Sequence, residues 1–436
     1  MPFRLRVCHI NNNNKNNRMS LNLTSSHPNL HRLILNNGIT LLVVENQAAD
    51  LVSGRFFLKN AGTIVENRAR AGLSHLVAAV ITKGTETLSA LEIAEKVESI
   101  GAGLSADTST DYFSMTLKTV SSDFPAMLRL LGDIMRSPTF PEAEVELEKK
   151  LTLQSIRSQQ EQPFNVAFNQ LREQMYGEHP YGVSVLGTEA SVMGLTPQDL
   201  QQYHQTYFRP DNLVISLSGR IIREQAVNLV DEVFGDWKIP SNSLLSKELN
   251  PVNSHPSKAE IIQETQQSIV MLGYLGTKVE DRDYPVLKLL STYLGNGLSS
   301  RLFVELREKR GLAYDISAFY PTRLDIAPFI TYMGTAPTNT EIAIEGLSTE
   351  VERLSKVTLS ETELQGAKNK LLGQYALGKQ TNGEIAQIYG WYETLGLGIE
   401  FDRIFQEIIP QITPTIAQEV ANRYLNQPYI SLVKPS

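Results

Sequence analysis

Cysteine, excess charge and long apolar runs are all scarce in this chain, and each absence excludes a class of protein. The single cysteine, Cys8, excludes internal disulfide bonds and zinc sites built from several cysteines. The net charge of −7, without a basic cluster, argues against a nucleic-acid-binding protein. No apolar run approaches the roughly 18 residues that span a bilayer. We therefore expect a protein with no transmembrane segment, cytoplasmic or otherwise soluble.

Acidic residues are absent from the N-terminal region until Glu45. Residues 1–18 instead carry scattered Arg and Lys and the polyasparagine run Asn11–Asn14. A basic, acid-free leader is typical of an organellar transit peptide. We favour the alternatives, which are a disordered tail or an upstream start codon with Met19 as the true beginning. The prediction for residues 1–20 is a leader or a disordered tail.

The 436 residues, 42% of them hydrophobic, predict more than one globular domain. Strand patterns occur at the hairpin Leu30–Val44 around Asn37-Gly38, and at Ser53–Lys59, Ser105–Thr119 and Leu213–Ser218. Helical patterns occur at Leu73–Ile81, Ala90–Ile100, Phe124–Met135 and Pro141–Gln160. Strands and helices come in runs without strict alternation, which predicts an α+β fold with antiparallel or mixed sheets.

The second part of the chain repeats features of the first. Leu359-Ser360-Glu361 follows Phe140-Pro141-Glu142 by 219 residues, and in that register Lys149 meets Lys368 and Glu144 meets Glu363. Gly101 and Gly311, 210 residues apart, both precede a predicted strand. Two similar offsets in order indicate an internal duplication. We predict halves at residues 21–239 and 258–436, joined by an aperiodic Pro- and Ser-containing linker at 240–257.

One apolar helix carries His75-Leu76-Val77-Ala78-Ala79. A helical His-x-x-Glu-His would place two imidazoles on one face to hold Zn²⁺, with the glutamate activating the bound water. Here Ala78 and Ala79 stand at the glutamate and second-histidine positions. Taken alone, His75 on such a helix is more typical of a hydrogen-bonded core histidine. The stretch His179-Pro180-Tyr181-Gly182 predicts a turn whose ring packs inside, and no metal site.

Ordered motifs in both halves resemble the pitrilysin / mitochondrial processing peptidase family of zinc metallopeptidases, from about Leu30 to about Ile430. The first-half motifs are Gly72-Leu73-Ser74-His75, Lys83-Gly84-Thr85, His179-Pro180-Tyr181-Gly182 with Gly187, and Tyr207-Phe208-Arg209-Pro210-Asp211-Asn212. The second-half motifs are Gly297-Leu298-Ser299-Ser300-Arg301-Leu302-Phe303 and the long run from Leu306 to Tyr314.

The resemblance implies a clamshell of two homologous α+β halves, each a mostly antiparallel sheet packed by helices, joined by a linker. It also implies an active-site cavity between them. In catalytic members a glutamate on a later helix is the third zinc ligand. That position falls at Gln154 or Ser155 here, and neither is a glutamate. The general base, the second histidine and the third ligand are therefore missing, which implies that this chain binds no cofactor.

The resemblance further implies that an arginine and a tyrosine of the second half position the substrate backbone. These match Arg301 and Tyr314. A guanidinium and a phenol can both donate to a carbonyl that gains negative charge. Two structural alternatives stay open. Arg301 can pair with Glu305 at i, i+4, and Tyr314 alternates with Ile316 and Ala318 as a core strand residue would.

We therefore predict a non-catalytic subunit of a heterodimeric processing-type zinc metallopeptidase. It would bind an extended peptide and hold it against the zinc of a homologous partner subunit, and would be inactive alone. One rival is a structural scaffold with no peptide handling. Another is a zinc endopeptidase through an unrecognised site, which only the family resemblance supports. A dimer of two such chains is a further possibility.

Overall fold

The computed structural model describes residues 29–244, 249–252 and 255–436. The leader predicted for residues 1–20 lies outside these ranges. Within them, no helix is long and apolar enough to cross a bilayer.

The first part of the chain forms a six-stranded mixed sheet with the strand order β1-β2-β6-β3-β5-β4. Its strands are β1 (Leu30–Ile34), β2 (Thr40–Glu45), β3 (Leu51–Lys59), β4 (Gly103–Thr108), β5 (Tyr112–Val120) and β6 (Leu213–Gly219). All neighbours pair antiparallel except β2 and β6, which are parallel. The β1–β2 hairpin turns at Asn37-Gly38, where Gly38 has a φ of +87°. A positive φ is the reason glycine stands at this turn.

Eight α-helices accompany this sheet in the described part of the first half. They are α1 (Leu73–Val80), α2 (Ala90–Glu98), α3 (Phe124–Arg136), α4 (Glu142–Gln160), α5 (Pro163–Tyr176), α6 (Glu189–Gly194), α7 (Pro197–Tyr207) and α8 (Arg223–Phe234). The main core of this half forms where the apolar side chains of α1, α3 and α8 meet those of β2, β3 and β5.

The second part forms a five-stranded sheet with the strand order β7-β11-β8-β10-β9. Its strands are β7 (Lys258–Gln263), β8 (Ser268–Leu275), β9 (Asp315–Phe319), β10 (Pro328–Thr335) and β11 (Tyr429–Pro435). Its helices are α9 (Tyr284–Gly295), α10 (Thr340–Lys356), α11 (Glu361–Leu377), α12 (Asn382–Thr394), α13 (Phe401–Gln411) and α14 (Pro414–Tyr424). A π-helix covers Phe303–Glu308.

The two sheets confirm the duplication. The order β2-β6-β3-β5-β4 repeats as β7-β11-β8-β10-β9, and the parallel pair β2–β6 repeats as β7–β11. Gly101 and Gly311 have nearly equal φ angles of +65° and +63°. Lys149 and Lys368, matched by sequence register, make matching hydrogen bonds. The Lys149 Nζ donates to the carbonyl of Leu195, directly after α6, and the Lys368 Nζ donates to the carbonyl of Pro410, near the end of α13, both at 2.9 Å.

The halves exchange one helix each. Helix α5 of the first half packs on β8 and β11 of the second sheet, and α12 of the second half packs on β3 and β6 of the first. Leu171 and Met175 of α5 lie over Gly273 of β8, where a Cβ would be only 2.6 Å from the methionine sulfur. The sequence patterns did not predict this exchange.

One predicted strand is wrong. Ser105–Thr119 is not continuous but forms β4 and β5, which pair antiparallel across a turn. The side-chain oxygen of Ser109 accepts hydrogen bonds from the backbone N–H groups of Asp111 and Tyr112, at 3.3 and 3.4 Å. Serine and aspartate stabilise turns in this way. The alternating apolar and polar residues before and after this turn therefore belong to two separate strands. The other predicted elements are present within a few residues, and the described residues of 240–257 contain no helix or strand.

Candidate functional site

Helix α1, which carries His75, begins at an unusual N-terminus. Gly72 has a φ of +92° immediately before the helix. The buried Glu66 carboxylate accepts hydrogen bonds from the backbone N–H groups of Gly72 and Ser74, at 2.9 and 2.6 Å. A carboxylate at this end satisfies free N–H groups and interacts favourably with the helix dipole. Leu76 and Val77 then anchor the helix in the core.

The His75 imidazole is half-buried on this helix. Burial lowers its pKa, and the negative charges of Asp107 and Glu148 only partly oppose that effect. Glu148 on α4 is itself paired with Lys83, with Nζ and Oε1 3.3 Å apart. His75 is therefore a neutral imidazole at physiological pH, because burial disfavours its charged form.

The other positions that the resemblance assigns to a zinc site lie on α1 and α4, which pack against each other. Ala78 is buried and Ala79 half-buried on α1, which packs against α4. Gln154 and Ser155 are exposed on α4, and the Ser155 hydroxyl donates back to the Leu151 carbonyl at 3.0 Å.

These residues do not fit a catalytic zinc ion. A catalytic site needs three protein ligands of the imidazole, thiolate or carboxylate type. His75 alone supplies one, since the alanine methyl groups cannot coordinate a metal and neither Gln154 nor Ser155 brings a carboxylate. Nowhere in residues 29–244, 249–252 and 255–436 do three His, Cys, Asp or Glu side chains group as a metal site would require.

Beside α1, the first sheet ends at β4. Helix α1 contacts this strand, and the outer edge of β4 pairs with no other strand in the described ranges. Ser105 and Asp107 are exposed on it, while Leu104 and Ala106 contact the core. An open edge strand presents backbone N–H and C=O groups that an extended peptide can pair with. Strand β9 is the corresponding edge of the second sheet.

Arg301 lies just before the π-helix, and acidic side chains already occupy its guanidinium. Its Nε lies 2.7 Å from Glu350 Oε2 on α10, and its Nη1 lies 3.1 Å from Glu305 Oε1. The i, i+4 pair with Glu305, one of the two alternatives from the sequence, is therefore present. Glu350 adds a second, more buried partner that sequence spacing did not indicate.

Tyr314 is exposed and not a core residue. Its side chain keeps 64% of its accessible surface, whereas Ile316 and Ala318 are buried. Its backbone N–H donates to the Gly334 carbonyl at 2.9 Å and so extends the β9–β10 pairing. The core-strand alternative for Tyr314 is wrong, since Tyr314 is exposed although Leu312 and Ile316, two residues away on either side, are buried.

A second arginine of the motif that ends at Tyr314 was not predicted to have a role. Arg307, within the π-helix, is exposed, and its guanidinium lies 5.0 Å from the Phe303 ring centroid. No carboxylate of the described chain pairs with it. Single-turn π-helices occur frequently at functional sites. Arg307 lies in the charged run Arg307–Arg310, which from sequence alone is typical of a solvated helix end.

The predicted turn at His179-Pro180-Tyr181-Gly182 is a 3₁₀ turn with a fully buried histidine. The His179 Nε2 lies 3.2 Å from Asp325 Oδ2 in the β9–β10 loop, and Nδ1 accepts from the Tyr181 N–H. Tyr181 donates to Asp111 Oδ1 at 2.5 Å, and burial raises the pKa of the Asp111 carboxyl. This network joins the two halves and has a structural role.

The structure thus gathers His75, Ala78, Ala79, Gln154 and Ser155 on two packed helices beside the edge of the first sheet. Tyr314 directly precedes β9, the edge strand of the second sheet, and Arg301 lies just before the π-helix. The described chain is therefore an internally duplicated α+β fold of two mixed sheets packed by helices, and the positions that the resemblance assigns to zinc carry one possible ligand, His75.

Comparison with known proteins identifies the family. Residues 43–189 match the family model described as insulinase (peptidase family M16), and residues 194–371 match the one described as peptidase M16 inactive domain. The chain belongs to peptidase family M16, which confirms the resemblance drawn from its motifs.

Relatives and solved structures cover nearly the whole chain. An uncharacterized zinc protease of Bacillus subtilis is 27% identical over 419 residues, which is 93% of this chain and 98% of that protein. One of Streptomyces coelicolor is 26% identical over 386 residues, 86% of this chain and 83% of that protein. A peptidase M16 inactive domain from Pseudomonas fluorescens superposes with a TM-score of 0.87 at 24% identity, covering 94% and 98% of the two chains. A protease from Helicobacter pylori superposes with a TM-score of 0.88 at 21% identity, covering 93% and 99%. These structures show the fold.

Proposed function

We propose that this chain is the non-catalytic subunit of a heterodimeric processing-type zinc peptidase. The observation that carries the proposal is the pair α1–α4, which has the helices of a zinc site and only one of its ligands, His75. Because a single neutral imidazole cannot hold catalytic zinc, hydrolysis would depend on zinc held by a homologous partner subunit.

The chain's own part would be to bind an extended peptide. The open edge of β4 beside α1 supports this role, since backbone pairing to an edge strand binds a peptide whatever its side chains are. The exposed Tyr314 hydroxyl supports a second contact, a hydrogen bond to a peptide carbonyl that gains charge at the partner's zinc.

Two arginines are candidates to assist Tyr314. The family resemblance favours Arg301. Its ion pairs with Glu305 and Glu350 favour a structural role, because a guanidinium held by two carboxylates must break those contacts to reach a peptide. Arg307, exposed and without a carboxylate partner in the described chain, needs no such rearrangement. We propose Tyr314 with Arg307 as the positioning pair and keep Arg301 as the alternative.

The first experiment compares the chain alone with the chain and its partner. The purified chain is expected to hold far less than one zinc per molecule by elemental analysis and to cleave no quenched-fluorescence peptide. Co-purification from the native cell is expected to bring a relative with an intact His-x-x-Glu-His, and the mixture to cleave. Chelator-sensitive proteolysis by the chain alone would overturn the proposal.

The second experiment assigns the positioning residues in the reconstituted complex. Tyr314→Phe and Arg307→Gln are expected to lower turnover about tenfold or more, as loss of a transition-state donor does, with zinc content and complex formation unchanged. Arg310→Gln, which removes the same charge nearby, is the matched control. If Arg301→Gln lowers turnover in a folded complex and Arg307→Gln does not, the assignment to Arg307 is wrong.

A scaffold role is the second candidate, and the occupied Arg301 guanidinium favours it. A scaffold predicts that Tyr314→Phe, Arg307→Gln and Arg301→Lys all leave turnover of the complex unchanged. The same measurements therefore decide between the two functions.

A further inference from the structure

We propose that the cavity between α4, α5 and β7 binds a carboxylate group of a peptide, with the Arg172 guanidinium as its counter-charge. This inference deepens the proposed function, on which it rests, by giving the peptide a second anchoring point of defined charge.

The cavity has a volume of about 550 Å³, and α4, which carries Gln154 and Ser155, forms one of its walls. Gln159 of α4 lines it and lies four residues after Ser155, on the same face of the helix and about 6 Å farther along the axis. Helix α5 contributes Asn169, Gln170 and Arg172 from the opposite side. A peptide that passes Ser155 along α4 therefore reaches this cavity within about two residues.

Arg172 is a cation without an acidic partner. Its Nη2 donates to Asn169 Oδ1, and its guanidinium lies 5.0 Å from the Phe168 ring centroid. Its buried Nε has no hydrogen-bond acceptor, and no carboxylate of the described residues lies within ion-pair distance. Burial, together with the nearby positive charge of Arg323, lowers its pKa to about 10. The site still carries a positive charge at neutral pH.

The acidic side chains that line the cavity already have partners. Glu173 pairs with Arg68 at 3.3 Å, and Glu189 pairs with Arg157 at 3.0 Å. The Gln170 amide lies 2.6 Å from the Ser431 hydroxyl, which also lies 2.8 Å from the Ala167 carbonyl, so at least one N–H of the amide is left without a partner in the described chain. The uncompensated groups at the cavity are therefore hydrogen-bond donors and one cation.

These groups select a carboxylate. A guanidinium and a carboxylate form strong, directional hydrogen bonds, and the bond is stronger where water is partly excluded. Amide N–H groups can donate to the same anion. Ile156, Val183 and Ile261 supply apolar walls for the atoms that carry it. Either the C-terminal carboxylate of a peptide or an acidic side chain satisfies this chemistry.

Calorimetric titration of the full-length chain distinguishes these sources. Three N-acetylated ten-residue peptides are compared: one with a free C-terminus and no other acid, the same peptide as its C-terminal amide, and that amide with one internal glutamate. The free acid is expected to bind about tenfold more tightly than the plain amide, a difference that one charge-assisted contact accounts for. Equal affinity of the glutamate-containing amide and the free acid assigns the site to any peptide carboxylate. A preference for the free acid alone assigns it to the C-terminus.

Two variants test whether Arg172 is responsible. Arg172→Gln is expected to abolish the difference between acid and amide, whereas Arg129→Gln, which removes an exposed positive charge on α3, is expected to keep it. Asn169→Asp places an internal carboxylate next to the guanidinium and is expected to abolish the difference with the arginine still present and the fold intact. It keeps the test valid if Arg172→Gln fails to fold.

A smaller probe separates this inference from the proposed function. N-acetyl-dialanine and its amide are compared by ligand-observed NMR. Peptide binding without any acid preference overturns the carboxylate site and leaves the proposed function intact. Arg172-dependent binding of the dipeptide acid, with no binding of the longer peptides, supports the site and contradicts peptide positioning. If neither probe binds, both are wrong.

Discussion

Gly390 on α12 packs directly against Phe57 on β3. A Cβ added at Gly390 would overlap the Phe57 ring and lie 2.9 Å from the Cβ of Ser216 on β6. A helix that begins and ends in the second half thus reaches van der Waals contact with the sheet of the first half. The absence of a side chain at this one position permits the approach.

Gly390→Ala is expected to destabilise the protein. Alanine favours a helix by roughly 0.5–1 kcal/mol over glycine, but forcing a methyl group into this contact costs about 1–3 kcal/mol. Urea unfolding measures the difference. Gly366→Ala on α11, where nothing lies within 4 Å of the added Cβ, is the control and is expected to stabilise. Equal stabilisation by both changes would contradict the close packing of α12.

The ion pair between Arg32 on β1 and Glu393 on α12 is expected to hold the exchanged helix in place. Arg32 Nε and Nη2 lie 3.0 and 2.6 Å from the two carboxylate oxygens, and Glu393 is 10% exposed. Arg32→Gln or Glu393→Gln alone is expected to cost about 1–3 kcal/mol, because each leaves a charge without its partner. The double variant is expected to cost less than the sum of the singles. Strict additivity in a double-mutant cycle would show that the pair contributes nothing.

Asp325 is expected to make stability fall in acid. The hydrogen bond from His179 holds the pKa of the Asp325 carboxyl below its ordinary value, against the opposing effect of burial. The ionised carboxylate therefore contributes stability that is complete above the unfolded pKa, about 3.9, and is lost as the pH falls through the lower folded value.

Thermal unfolding of the native chain and Asp325→Asn between pH 2 and pH 7 tests this. The native chain is expected to be about 1 kcal/mol more stable at pH 7, with the difference vanishing toward pH 2. Asp111, whose pKa burial raises, has the opposite dependence, but it is present in both proteins. Glu98→Gln on the exposed end of α2 is the control. A difference between native and Asp325→Asn that stays constant with pH would exclude an electrostatic origin.

Restoring two ligands is expected to restore zinc binding. Ala79→His combined with Ser155→Glu adds an imidazole four residues after His75 and a carboxylate on the packed α4, both at positions with solvent access. The double variant is expected to retain close to one Zn²⁺ per chain after dialysis and to unfold at a higher temperature with zinc than without it. Ala79→His with Ser155→Gln has matched size and lacks the third ligand. A folded double variant without bound metal would mean that α1 and α4 hold these positions too far apart.

Local patterns predicted most of the elements, and the reasons are physical. The Asn37-Gly38 hairpin, the capped helix after Ser360 and the glycines at 101 and 311 each depend on a few neighbouring residues. The exchange of α5 and α12 depends on contacts between residues more than 90 positions apart, and nothing in the sequence of either helix indicates which sheet it covers. The break within Ser105–Thr119 was missed because Ser109-Thr110-Asp111 preserves the alternation while forming a turn.

Some features of the candidate site were likewise predictable from the sequence and others were not. The absence of the zinc ligands is a property of the residue types and was readable directly from Ala78 and Ala79. The pairing of the Arg301 guanidinium with Glu350 could not be predicted from the sequence, because Glu350 lies 49 residues away on another helix. Arg172 likewise gave no signal, since its lack of an acidic partner is a fact of the folded chain.

The helix exchange also bears on where this architecture came from. A single ancestral half with the topology of β7-β11-β8-β10-β9 would leave one face of its sheet without the helix that covers it here. Two copies would cover each other's sheets by exchanging that helix, as the subunits of a symmetric dimer do. Duplication and fusion of such a unit would turn an intermolecular interface into an intramolecular one. In the present chain the two mutually covering halves belong to one polypeptide, and their two sheets can differ in chemistry because the two halves need not have the same sequence.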